Sequence, residues 1–165
     1  MEDHVSDSND GRHDFDFLFG DWKIVNRKLV DTTDPECDEW VEFSATSHID
    51  PFLGGFGNVD RMWSDAPPGG SPFEGFTLRQ FDPEDQVWRI WWASSTNPGH
   101  LDPPVEGRWR DGRGTFSCTD TIAGRDVIVR FEWSVRPPSG ALWEQSFSFD
   151  GGETWKYNWT MTFSR

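Results

Sequence analysis

The chain has 165 residues, with 15 Lys plus Arg against 29 Asp plus Glu and a formal charge of −14. That length fits one domain, and a domain of this size buries about two-thirds of its unfolded surface without needing a disulfide or a structural metal. The acidic balance excludes an electrostatic grip on nucleic acid or on an anionic lipid surface, since both depend on clustered positive charge.

Residues 1–12 are acidic and polar, the opposite of a secretory leader, and are expected to form a disordered tail ahead of a domain spanning 13–165. His13–Phe19 predicts a short cap helix. From there on, Gly-, Pro- and Asp-rich breaks recur, among them Asp34-Pro35, Pro67 to Gly70, Asp82-Pro83, Asp102 to Pro104, Asp111-Gly112, Pro137-Pro138 and Asp150 to Gly152. Between the breaks the apolar period is two, which predicts about ten strands. They lie near 22–30, 39–48, 56–63, 73–81, 87–95, 105–110, 114–121, 126–136, 141–149 and 154–164. One-sided rows stand out at Trp88-Ile90-Trp92, Val127-Val129-Phe131-Trp133 and Trp143-Gln145-Phe147. Trp155, Tyr157, Trp159, Met161 and Phe163 form the last row. The longest apolar stretches, such as Ile90 to Ala93, are far too short to cross a membrane as a helix.

One-sided strands joined by short turns predict an antiparallel meander, and closing it removes its unpaired edges. The expected fold is therefore all-β, a single antiparallel barrel of about eight to ten strands with an N-terminal cap. Its interior must be built from rings: the chain holds 11 Trp and 14 Phe, and aromatics make up 16% of it. A barrel of this strand number is wider than side chains alone fill, so a ligand cavity is expected.

Gly20-Asp21-Trp22 resembles the first signature of lipocalin-like (calycin) barrels, in which the Trp plugs the closed end. His13 to Leu18, Gly57 to Asp60, Thr77-Leu78-Arg79, Leu101 to Val105, Trp143-Glu144-Gln145 and Asp150 to Met161 add to the likeness. Together they resemble a Trp-rich bacterial domain family of the calycin superfamily. The resemblance implies a calycin-like barrel and supplies no catalytic residues. Ser148 to Trp155 is also similar to the Asp-box turn of sialidase-type propellers, which implies a structural hairpin here.

The candidate site comes from polar residues in register with apolar ones. Phe56, Asn58, Asp60 and Met62 share a face, as do Phe73, Thr77, Arg79 and Phe81. If the rings choose the inside, Asn58, Asp60 and Arg79 follow, and the two charges must pair. A register displaced by one would instead leave Asp60 and Arg79 as a surface ion pair. The proposed catalytic set is Asp60 as general base or orienting carboxylate, with Arg79 and Asn58 to stabilise negative charge. The proposed ligand-lining set is Trp88, Trp92, Trp133, Trp143, Gln145, Tyr157 and Trp159. Convergent polar groups against indole walls suit a small, largely apolar or aromatic molecule. The expected function is its capture, either for cofactor-free cyclase- or isomerase-type chemistry or as a carrier or sensor.

His4, His13, His48 and His100 have no metal-binding spacing, and no cofactor or metal is expected. Nitrobindin, a heme protein among the calycin barrels, ligates iron through a His late in its chain. This chain has none after His100, which argues against heme and leaves His48 or His100 as a different route. Cys37 and Cys118 are expected as reduced thiols of a cytoplasmic protein, and monomer and homodimer stay open.

Overall fold

The alternation becomes ten antiparallel strands in a computed structural model that describes residues 10–65 and 67–165. The strands are β1 (Gly20–Leu29), β2 (Trp40–Phe52), β3 (Gly57–Ser64), β4 (Phe73–Asp82) and β5 (Val87–Ser94). They continue as β6 (Val105–Arg110), β7 (Arg113–Ile122), β8 (Arg125–Arg136), β9 (Gly140–Ser148) and β10 (Lys156–Ser164). Each pairs with its neighbour in the chain, and β10 returns to β1, so the sheet is a closed barrel. No helix among the described residues is long and apolar enough to cross a membrane.

Side chains of one parity point inward, as the two-residue repeat requires. Trp22 and Ile24 on β1, Phe43 and Ile49 on β2, Trp133 on β8, Trp143 on β9 and Met161 and Phe163 on β10 are all buried. Each such side chain contributes about 1.5–3 kcal/mol when fully withdrawn from water. The opposite parity faces solvent, and even Val25 and Trp63 are about half exposed there.

One end of the barrel is plugged. Two 3-10 turns, Gly11–His13 and Asp16–Leu18, fold across it in place of the expected single cap helix, and Phe15 and Leu18 are completely buried. The Phe15 ring meets Trp88 edge-on at 4.9 Å, Trp109 at 5.3 Å and Trp133 at 6.0 Å, the geometry the ring quadrupoles favour. Trp22 donates its indole N–H to the Leu18 carbonyl at 2.7 Å. The Arg165 guanidinium covers the same ring at 3.7 Å and donates to the Asp21 and Phe17 carbonyls. The cap starts earlier than expected. Asp10 accepts the Arg12 backbone N–H, and Gly11 accepts the Trp88 indole N–H at 3.0 Å, so the ordered part includes residues 10–12. The remainder of the expected tail, residues 1–9, lies outside the described residues.

Two local readings change. The last strand is not one uninterrupted alternation: its pairing with β9 shifts between Tyr157 and Trp159. This bulge places Asn158 inward and turns Tyr157 outward, 40% exposed, with its hydroxyl donating to Glu132 at 2.9 Å. Phe56 is also outside the barrel, 37% exposed, because it ends the 3-10 turn Leu53–Gly55 and β3 begins only at Gly57. A Cβ at Gly57 would stand 2.8 Å from the Arg79 carbonyl oxygen, so glycine permits this close strand approach.

The turn between β9 and β10 is tied by Asp150. Its carboxylate accepts the Ser148 hydroxyl at 2.8 Å, the Thr154 backbone N–H at 2.9 Å and the Thr154 hydroxyl. These bonds hold the carboxyl down at about 2, below the ordinary 3.8. A depressed folded value means that the contribution to stability is present above the unfolded value and is lost as pH falls through the folded one. We expect wild type to exceed Asp150→Asn in urea midpoint at neutral pH. The gap should shrink between 3.8 and about 2. A gap that does not change over that range would disprove the turn's dependence on this charge.

Candidate functional site

The barrel register brings the polar candidates together. Asn58 lies opposite Arg79 and Asp60 opposite Thr77 across the β3–β4 ladder, all on the inward parity. Arg79 donates from Nη1 to the Asn58 side-chain oxygen at 2.9 Å and from Nη2 to Asp60 Oδ2 at 3.1 Å. The Asp60 and Arg79 side chains are only 8% and 3% exposed. Ser47, inward on β2, donates its hydroxyl to Asp60 Oδ1. The guanidinium also lies 5.3 Å from the Phe15 ring and 5.4 Å from the Trp133 ring, so the plug and the polar pair touch. Burial pushes the Arg79 guanidinium below its ordinary range, and the Asp60 charge opposes that shift. Its Nε–H is buried with no partner among the described residues.

Beside this pair lies a cavity of about 220 Å³. Trp92, Trp133, Trp143 and Trp159 supply indole walls, Gln145 and Thr77 add polar groups, and Asp60 and Arg79 belong to the lining. Trp159 is held firmly. Its N–H donates to Asn26 at 2.9 Å, and its ring meets Trp143 at 5.5 Å and Trp92 at 6.1 Å, both edge-on. Trp92 needs Gly75 across the β4–β5 ladder, because a Cβ there would run into its ring. Lys28, Thr32 and Asp102 complete the lining, the last two from the loops after β1 and β5. Burial lowers the Lys28 ammonium and raises the Asp102 carboxyl, the latter helped by the Asp120 charge. Both shifts follow from the cost of charge in a poorly hydrated site.

Asn58, Asp60 and Arg79 thus converge as the period-two reading requires, and Trp92, Trp133, Trp143, Gln145 and Trp159 share one cavity. Trp88 and Tyr157 do not join them. Trp88 is buried, but it stands at the start of β5 in the plugged end, bound to Gly11 and packed on Phe15. Alternation fixes a face, not a height: four residues along a strand separate Trp88 from Trp92 by about 13 Å. Tyr157 is turned out by the bulge. Lys28 and Ser47 were missed, although the signal was present. Lys28 continues the parity of Trp22, Ile24 and Asn26, and Ser47 that of Phe43 and Ala45. Thr32 and Asp102 come from loops, where no period marks them.

His48 lies on the outer face between Asp21 and Asp50, at 2.6 and 3.1 Å, and His100 is exposed in a loop. The two carboxylates raise the His48 imidazole. No group of three or more His, Cys, Asp or Glu side chains placed to hold a metal ion occurs among the described residues. The chain's site is therefore characterised by its own geometry, for no protein-family model matches the sequence and no curated protein matches it.

Proposed function

We propose that the chain captures a small, largely apolar or aromatic molecule inside the barrel. The cavity carries this reading: about 220 Å³ walled by indoles, with a fixed guanidinium–carboxylate pair in its lining. An apolar cavity of about 150 Å³ already takes up benzene, while drug-sized ligands fill roughly 300–1,000 Å³. The volume therefore suits one substituted aromatic ring. The Arg79 Nε–H, buried without a partner among the described residues, offers such a ring a donor for one oxygen. The test is an NMR titration of the indole N–H signals with monocyclic aromatic fragments. We expect shifts at Trp92, Trp133, Trp143 and Trp159 and none at Trp40 or Trp63. Silence at the first four under saturating fragment would refute capture.

A second reading is acid–base turnover of the captured molecule without a cofactor, and Asp60 is the observation that favours it. This ionisable group belongs to the cavity lining and is braced by Ser47 and Arg79. In that reading Asp60 takes or orients a proton, and Arg79 with Asn58 stabilises the charge that develops. In a carrier or sensor the same groups only position the ligand. Native mass spectrometry of freshly purified protein would identify a co-purifying ligand, and incubation would then separate the two. Enzyme is expected to alter that molecule over time, with Asp60→Asn roughly 100-fold slower, whereas a carrier leaves it unchanged. Membership of the calycin superfamily belongs to the same proposal. It is supported by the closed meander and by Trp22 in the plugged end under Arg165.

A further inference from the structure

Lys28 is a cation in the lining that neither of the readings above employs. It stands near the end of β1 and faces inward, and its ammonium lies 4.2 Å from the centre of the Trp159 ring. Among the described residues no carboxylate lies within ion-pair reach of it, and no acceptor takes a hydrogen bond from it. Asp102 lines the same cavity but is beyond that reach. The other cation in the lining, Arg79, is already neutralised by Asp60. The lining therefore holds one ammonium without an ion-pair partner among the described residues, in a chain whose formal charge is −14.

A desolvated ammonium on an indole wall gains most from an anion that completes its coordination. We infer that the captured molecule is a small aromatic acid whose carboxylate meets Lys28 while its ring lies against Trp159 and Trp143. This rests on the capture reading and adds the ligand's charge to it. A carboxylate fits better than a doubly charged phosphate ester, since a single ammonium balances a single charge and leaves nothing unpaired in a poorly hydrated site. Binding would also restore the Lys28 ammonium towards its ordinary range, reversing the effect of burial.

The test uses three probes of nearly one shape, benzoate, benzamide and benzylamine, titrated by NMR or calorimetry against the full chain. Benzoate is expected to bind about tenfold or more tighter than benzamide, and benzylamine weakest, as the loss of one charged hydrogen bond would give. Lys28→Met keeps the length and the apolar stem. It should bring benzoate down to the benzamide level without moving benzamide, and Lys28→Arg should recover most of the preference. Benzamide binding as tightly as benzoate, or a benzoate preference that survives Lys28→Met, would overturn the inference while leaving capture intact. If none of the three binds, capture itself fails and the inference fails with it.

Discussion

Asp60→Ala is expected to destabilise the protein by about 3–5 kcal/mol, the cost of leaving a buried charge without its partner. The variant strands Arg79, whose side chain is 3% exposed and whose remaining side-chain hydrogen bond among the described residues goes to Asn58. That is a large share of the roughly 5–15 kcal/mol by which domains are stable at all. Urea unfolding checks it, read as a lower midpoint at unchanged slope. The double variant Asp60→Ala, Arg79→Met is the control. A buried ion pair replaced by apolar groups is often neutral in stability, so the double variant should recover most of what the single one loses. A single variant within about 1 kcal/mol of wild type would mean that water reaches the pair, as it does for exposed salt bridges.

Phe15→Ala should cost a similar amount, about 3–5 kcal/mol, in the range found when a buried Phe is truncated. Phe15 is the keystone of the plugged end, completely buried and in ring contact with Trp88, Trp109, Phe116 and Trp133. Its loss also removes the ring 5.3 Å from the Arg79 guanidinium and opens that side of the polar pair to water. Two readouts should therefore move together: a lower melting temperature and a red shift in tryptophan fluorescence. Phe15→Leu, which refills most of the space, should show a much smaller change in both. A melting temperature unmoved by Phe15→Ala would show that the cap contributes nothing to the barrel beneath it.

Strand positions were legible because each strand has one wet face. The rows through Val127, Val129 and Trp133 on β8 and through Met161 and Phe163 on β10 could choose only the inside, and the turns between them are marked by Gly, Pro and Asp. The same logic carried Asp60 and Arg79 inward against their own cost of burial, because neighbours of the same parity, Met62 and Phe81, are apolar. It succeeded even though Phe56, one of the rings invoked for it, lies outside the barrel. What periodicity cannot register is a residue inserted into a ladder or a position along the barrel axis. The bulge at Asn158 has no mark in the composition of its strand and reversed Tyr157. Trp88 and Trp92 look equivalent in the sequence but serve opposite ends. Thr32 and Asp102 reach the cavity from loops, whose course depends on the finished barrel.

Nine of the ten ladders join strands adjacent in the chain, and one, between β1 and β10, joins strands more than a hundred residues apart. That seam can form only when the last strand of the chain is present. Until then β1 and β9 each present a bare edge to any other chain nearby, and a slow non-local closure keeps them exposed for longer. The cavity shares this history. Lys28 and Trp159 are cross-strand partners in the seam itself, and the bond from Trp159 to Asn26 also spans it. The wall they form needs the β1–β10 ladder, so the molecule can hold a ligand there only once it has closed on itself, and a ligand bound there would act as a clasp on that ladder.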